Sequence, residues 1–398
     1  MTRHARFGHI HLLVLTIAGG AAMAQPVHVR PVPWFDPTGQ TGAPFHTIRG
    51  GICGSFQSPI DLRLAPGTYF EQLTLSAPGT YTTTSGAATI DATASAVTTF
   101  RIVSYNVRLW PGFFVSLTLA DQERSEWIGP RLATEQADVC VIQESWDYRL
   151  DSVDASARNN ALRGNYYWNQ YYGSTFFSGD NVNSGLLTQS VHALSGGTQV
   201  RYTECDGNDC QASKGFTRVL LTKNGFNIAV YNTHAQAGDS SGNVSTRYSQ
   251  INELAANILL FRALNPSYAV FVGGDFNVHG GASEFTDTMS AVMGGVAGLA
   301  HGALNEQCSP QTTACTACSF NTIKQIFGGG SSTRLDHILY AGSLDGTVKV
   351  IPTGYEVKRY RRTDGGQWCR TVTPTGCADD FSDHEPVLMN FELRRVTP

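Results

Sequence analysis

Residues able to hold a cation or move a proton recur at the ends of apolar runs in this 398-residue chain. Asn106 closes FRIVSYNV, Glu144 closes VCVIQE, and Asn232 and His234 close FNIAVYNTH. Asp275 and Asn277 follow VFVGG, Asp336 and His337 sit within RLDHILY, and Asp383 and His384 precede EPVL. An Asn or Asp at a strand end commonly caps a turn, and a lone His is ordinarily a surface or core residue. Repetition carries the inference. Carboxylates, amides and imidazoles at successive strand ends, with no Cys among them, form a donor set for a hard divalent cation and a phosphate beside it. Mg²⁺ is the expected ion, with Mn²⁺ or Co²⁺ as other candidates of the same kind.

For these groups to meet, the strands must share one rim. Apolar runs at Phe100 to Val107, Val139 to Gln143, Gly185 to Thr188, Phe216 to Leu221, Phe226 to Asn232, Ala269 to Gly273, Leu335 to Tyr340 and Pro386 to Phe391 read as strands. Gly129 to Gln136 and Tyr248 to Leu264 read as helices, the second from Ile251, Leu254, Ala255, Ile258 and Leu259 at helical spacing. Many strands with few helices predict an α+β fold, two packed mixed sheets flanked by helices in a four-layer α/β-sandwich.

The first 97 residues have a different texture. Arg3 and Arg6 precede the apolar run His11 to Met23, and Ala22-Met23-Ala24 offers a small-x-small cleavage site, so residues 1–24 read as a signal peptide and the protein as secreted. Residues 25–97 are rich in Thr, Ala, Gly and Pro, with APGTY at 65–69 and again at 77–81. They read as a small all-β module of brief strands and Pro-Gly turns, the repeat hinting at stacked rungs. Residues 98–398 form the expected catalytic domain.

Composition narrows the classes. With 41% hydrophobic and 15% charged residues the chain has material for a large core, and disorder is excluded as its main state. Lys and Arg number 28 against 32 Asp and Glu, so no basic excess advertises nucleic-acid binding. Nine Cys suit an oxidising compartment. Cys205 with Cys210, the trio Cys308, Cys315 and Cys318, and Cys369 with Cys377 are placed for local disulfides, while Cys140 in VCVI reads as a buried free thiol. Zinc at Cys315-x-x-Cys318 is disfavoured, because no second pair completes a tetrahedron. Tyr166, Tyr167, Trp168, Tyr171, Tyr172, Phe176 and Phe177 form an aromatic stretch for which packing is favoured over a lipid belt or a base-stacking platform.

The ordered set YN, QE, NTH, GGDFN, LDH and SDH resembles the endonuclease/exonuclease/phosphatase superfamily of DNase I-like fold. Within it, NTHAQAGDS at 232–240, Arg247 and Gln250, GGDFNVHGGASEF, SKGF at 213–216 and DFSDHEPV at 380–387 are most similar to secreted bacterial neutral sphingomyelinases, which are of phospholipase C type. His337 and Glu385 depart from the usual pattern. The resemblance implies a metal-dependent phosphodiesterase. Glu144 would hold the cation, helped by the carbonyl oxygen of Asn106. His384 would be the general base, since imidazole titrates near neutrality, with Asp336 orienting it. Asp275 and Asn277 would position water and phosphate, His234 would stabilise the phosphoryl oxygens or the leaving group, and Asp239 and Asp383 would support. The expected substrate is sphingomyelin or a related phospholipid at a membrane surface. The competing readings are a secreted nuclease acting on nucleic acid and a non-catalytic binding scaffold. The polar segment Lys358 to Asp379 argues against membrane lysis.

Overall fold

A computed structural model describes residues 97–396 apart from 112–116, 150–152, 164–168, 178 and most of 280–314. Of residues 1–96 it describes the backbone of five short strands, Leu13–Ile17, Pro26–Val27, Gln72–Ala77, Thr80–Thr83 and Gly86–Thr89, joined in one sheet. Most of the expected leader, Cys308 and the first APGTY copy lie outside the described residues. The second copy spans the end of one of these strands and the start of the next, which pair antiparallel.

The first large sheet contains β1 (Val97–Leu109), β2 (Val139–Ser145), β3 (Asn169–Tyr172), β4 (Leu187–Ser190), β11 (Val348–Val357) and β14 (Val387–Arg395). The second contains β5 (Ser195–Arg201), β6 (Gly215–Lys223), β7 (Phe226–His234), β8 (Ala269–Asp275), β9 (Asn305–Glu306) and β10 (Asp336–Ala341). Their orders are β11-β14-β1-β2-β4-β3 and β5-β6-β7-β8-β10-β9. Each has a parallel pair inside it, β1 with β2 and β7 with β8. A parallel pair needs a crossover, usually a helix. Here these are α1 (Asp121–Thr134) and α3 (Ser241–Leu264), while α2 (Val153–Arg163) follows β2. A two-stranded ribbon of β12 (Trp368–Arg370) and β13 (Gly376–Ala378) stands apart from both sheets.

Alternation along the strands sends one set of apolar side chains outward to the helices and another inward between the sheets. Val103, Tyr105, Cys140 and Ile142 pack with Ile128, Leu132 and Leu162. Tyr231, Val270 and Val272 pack with Ile251, Leu254, Ile258 and Phe261. Between the sheets Phe271 meets Phe100 at 4.7 Å and Phe391 at 4.9 Å between ring centroids. The sheets approach closely at Gly273, where an added Cβ would stand 2.5 Å from a Val141 methyl. The four-layer sandwich expected from the apolar runs is the fold observed.

Boundaries differ in instructive ways. The helix expected at Gly129 to Gln136 is α1, which starts eight residues earlier on the polar run DQERSEW and carries Pro130 inside it. Helix α3 likewise begins at Ser241, because Ser240 and Asn243 form a reciprocal capping box ahead of the apolar periodicity. The strand expected from Gly185 begins at Leu187: Gly185 has φ +64° and lies against Trp146, where a Cβ would come within 2.7 Å of the ring. Strand β11 was hidden by Pro352 and Gly354, which flank a shift in its pairing with β14. The local disulfides Cys205–Cys210, Cys315–Cys318 and Cys369–Cys377 are formed, and Cys140 is a buried thiol whose pKa burial raises. In the aromatic stretch Tyr166, Tyr167 and Trp168 are outside the described residues, while the Tyr172 hydroxyl donates to the Ser145 carbonyl at 2.7 Å, a packing role.

Candidate active site

The two crossover units bring their strand ends to the same place. Asn106 from β1 and Glu144 from β2 meet Asp275 at the end of β8: the Asn106 Nδ2 donates to Glu144 Oε1 at 2.9 Å and to Asp275 Oδ2 at 3.0 Å. One amide therefore joins a carboxylate of each sheet. Its carbonyl oxygen accepts from the Arg108 N–H at 3.1 Å, which leaves one lone pair, and its amide orients Glu144 and Asp275. Below this point Gln143 Nε2 donates to Asn232 Oδ1 at 2.8 Å, and Asn232 Nδ2 donates to the Ile142 and Leu187 carbonyls at 2.9 and 3.2 Å. Asn232 thus pins the sheets together.

Antiparallel pairing delivers the remaining groups. Asp336, the first residue of β10, is registered opposite Asp275, and Val387 of β14 opposite Ser104 places His384 at the Asn106 end of β1. His384 Nδ1 and Asp336 Oδ2 are 2.7 Å apart, and His384 Nε2 is 3.8 Å from Asp275 Oδ2. Burial opposes charge on this ring, but Asp336, Asp275 and Asp383 outweigh it and hold its pKa well above the ordinary imidazole value.

The second imidazole has the opposite setting. His234 Nε2 lies 3.9 Å from Glu144 Oε1, 3.8 Å from Asp275 Oδ2 and 3.3 Å from Lys214 Nζ. Burial, then the Lys214 charge, then His384 push its pKa well below the ordinary value. Lys214 is itself buried and held by Asp209 at 2.6 Å and the Ala235 carbonyl at 3.0 Å. The sequence offered it only as part of SKGF, with no role. A lysine immediately ahead of an apolar strand was the available signal.

Two of these residues are held in an uncommon backbone region. Glu144 has φ +58° and Asn277 φ +52°, conformations a non-glycine residue occupies at a cost unless the surroundings impose it. Glu144 is fixed by Asn106 and by the Trp146 indole N–H at 3.3 Å. Asn277 donates through its backbone to Asp275 Oδ1 at 2.9 Å and through its side chain to the Ala235 carbonyl at 3.1 Å. Asp383 pairs with Arg108 at 3.2 Å beside the cluster. Asp239 is not brought into it: its side chain is 77% exposed and paired with His279 at 3.1 Å. Gln236, Arg247 and Gln250 serve as scaffold, Arg247 Nη1 donating to the Gln236 carbonyl at 3.0 Å and Gln250 Oε1 accepting from the Gln236 N–H at 2.7 Å. His337 is buried with Nε2 3.0 Å from the Val278 carbonyl.

Glu144, His234 and Asp275 offer donor atoms within 4.8 Å of one another, and so do Asp275, Asp336 and His384. Burial raises the pKa of Glu144, with Asp383 adding to it, and pushes Asp275 up to about 6, with Asp336 adding to it. Asp336 Oδ1 and His234 Nδ1 are buried without a hydrogen-bond partner. Crowded, desolvated carboxylates of this kind suit a hard divalent cation, and Glu144 and Asp275 are among the residues that could hold one.

A family model for the Endonuclease/Exonuclease/phosphatase family matches residues 104–384, from β1 to the His384 of this site. The chain belongs to that family. It is accordingly a phosphoric diester hydrolase, of a family whose members depend on metal. Among family relatives, it is similar to a phospholipase C of Staphylococcus aureus, 23% identical over 61% of this chain and 73% of that protein. It is also similar to a sphingomyelinase C of Bacillus cereus, 23% identical over 74% of this chain and 90% of that protein. A solved structure of a beta toxin double mutant from Staphylococcus aureus with bound magnesium ions shares the fold, with a TM-score of 0.60 at 20% identity over 73% of this chain and 99% of that one.

Proposed function

We propose that this family member is a secreted, Mg²⁺-dependent phosphodiesterase that hydrolyses sphingomyelin or a related phospholipid at a membrane surface by phospholipase C type attack of water on phosphorus. The observation that carries the reading is the pair of imidazoles across Asp275, one backed by Asp336 and the other by Lys214. Similarity to a sphingomyelinase C over 90% of that protein's length supports the lipid substrate. Three disulfides and the leader-like start support export.

Hydrolysis requires a water made nucleophilic, charge stabilisation at the phosphoryl oxygens, and stabilisation of the leaving oxygen. A divalent cation held by Glu144 and Asp275 would supply charge neutralisation at phosphorus and, by offsetting those carboxylates, return His384 toward neutrality. His384 Nε2 then takes the proton of the attacking water, while Asp336 on Nδ1 fixes the ring and stabilises the imidazolium. Burial and the Lys214 charge disfavour a protonated His234, and Lys214 brings a positive charge to the opposite wall, suited to phosphoryl or leaving-group oxygen. Asn277, braced by the Ala235 carbonyl, orients the phosphate.

The deciding experiment measures phosphocholine release from sphingomyelin vesicles with Mg²⁺ and with chelator, beside plasmid DNA under the same conditions. Release with Mg²⁺ that chelator abolishes is expected. DNA cleavage without lipid turnover would overturn the lipid substrate and leave the hydrolase.

A further inference from the structure

The Asp336–His384 pair joins two segments that belong to different sheets: Asp336 starts β10 of the second, and His384 leads into β14 of the first. Their 2.7 Å contact depends on holding those segments at one spacing. A single residue outside both does this. Thr316 is fully buried, and its Oγ1 accepts from the backbone N–H groups of Leu335 at 2.9 Å and of Asp336 itself at 3.1 Å. Its carbonyl accepts from the N–H of Glu385, next to His384, at 2.6 Å.

The turn that presents Thr316 is closed on itself. Cys315 and Cys318 are disulfide-bonded around it, and Thr316 and Ala317 both donate to the Thr333 carbonyl, at 2.9 and 3.0 Å. At its far end Asn321 donates from its backbone to the Cys318 carbonyl at 3.0 Å and from its side chain to the Ser382 carbonyl at 2.8 Å and Glu385 Oε1 at 3.0 Å. The same short turn thus grips the Asp336 strand on one side and residues 382–385 on the other.

We propose that Thr316, carried in the disulfide-closed Cys315–Cys318 turn, is a positioning residue that sets the distance between Asp336 and His384. Valine matches threonine in shape but cannot accept a hydrogen bond, so Thr316→Val leaves the Leu335 and Asp336 N–H groups without their acceptor while keeping the packing. Displacement of a catalytic pair by a fraction of an ångström to an ångström costs roughly 10- to 100-fold in rate. Serine keeps the acceptor.

The test has two readouts on the full disulfide-bonded chain. The first is the low-field imidazole N–H resonance of a short Asp–His hydrogen bond, recorded without substrate and identified by its absence in Asp336→Asn. The second is kcat and KM on sphingomyelin vesicles with Mg²⁺. Because the first needs no turnover, failure of the lipid reading leaves the proposal testable. Thr316→Val is expected to lose the resonance and lower kcat about 10- to 100-fold at similar KM, and Thr316→Ser to keep both near wild type. Thr316→Ala replaces the valine variant if the latter does not fold. An unchanged resonance in Thr316→Val, or equal loss in Thr316→Ser, would overturn the assignment.

Discussion

The two imidazoles of the site stand on similar scaffolds and in opposite fields. His234 ends β7, whose parallel partner β8 ends in Asp275, and burial, with the neighbouring Lys214 charge, lowers its pKa. His384 enters the first sheet beside β1, and although burial opposes it, carboxylates from three segments raise its pKa above the ordinary value. Both lie 3.8 Å from the same oxygen of Asp275. Groups whose surroundings drive their pKa values apart can take different roles in one reaction. The ring backed by carboxylate can receive a proton and keep it. The ring backed by ammonium contributes to a wall that attracts oxyanions. Fold alone would not assign these roles, since both rings sit at strand ends of one rim.

Breaking the carboxylate-backed side should have the largest effect. His384→Ala is expected to lower kcat by on the order of 10³-fold or more, and Asp336→Asn similarly, as for other carboxylate-imidazole pairs. Lys214→Met should cost less, about 10- to 100-fold, and should raise the His234 pKa only part of the way, since burial and His384 still lower it, a change that titration followed by NMR would detect. If instead Lys214→Met proves as severe as His384→Ala, the assignment of base and anion-binding wall needs exchanging.

A third variant tests the frame under both rings. Asn232→Leu removes the bonds pinning β7 to β2 and β4 and strands Gln143, so a loss of about 2 kcal/mol in urea unfolding is expected. Activity should fall only as the folded fraction falls.

A fourth concerns the acid behind His384. Burial pushes Glu385 up to about 7, Asn321 opposing and Asp380 adding. A carboxyl raised in the folded state favours folding fully below its unfolded value near 4.5, and the contribution is lost as pH rises through about 7. Glu385→Gln should therefore flatten the decline in melting temperature between those pH values. The smallest effect is expected of Asp239→Ala, less than about threefold in kcat, because this exposed residue lies outside the cluster on either side.

Much of this arrangement could be read in the residues. Apolar runs ending in Asn, Glu, His and Asp located the strands and, through the shared rim, most of the cluster: Asn106, Glu144, His234, Asp275, Asp336 and His384. What escaped had physical reasons. Lys214 is 20 residues from its partner His234 in sequence, and its place ahead of an apolar strand marks it without giving it a role. Asn232 resembled the other strand-end amides, yet its side chain faces the opposing sheet. The positive φ of Glu144 and Asn277 is imposed by surroundings that no single-residue preference reveals. The turn at Cys315 was legible as a disulfide loop, but its grip on Asp336 and Glu385 exists only once three separate segments have folded together.

The assignment of the cation to Glu144 and of the proton to His384 rests on their lying in one cluster. Turnover of sphingomyelin vesicles as a function of Mg²⁺ concentration, compared for wild type, Glu144→Gln and His384→Ala, tests it directly. Glu144→Gln is expected to shift half-saturation to higher Mg²⁺, and His384→Ala to lower the plateau without moving half-saturation. A Glu144→Gln enzyme with wild-type Mg²⁺ dependence, or a His384→Ala enzyme with a wild-type plateau, would contradict it.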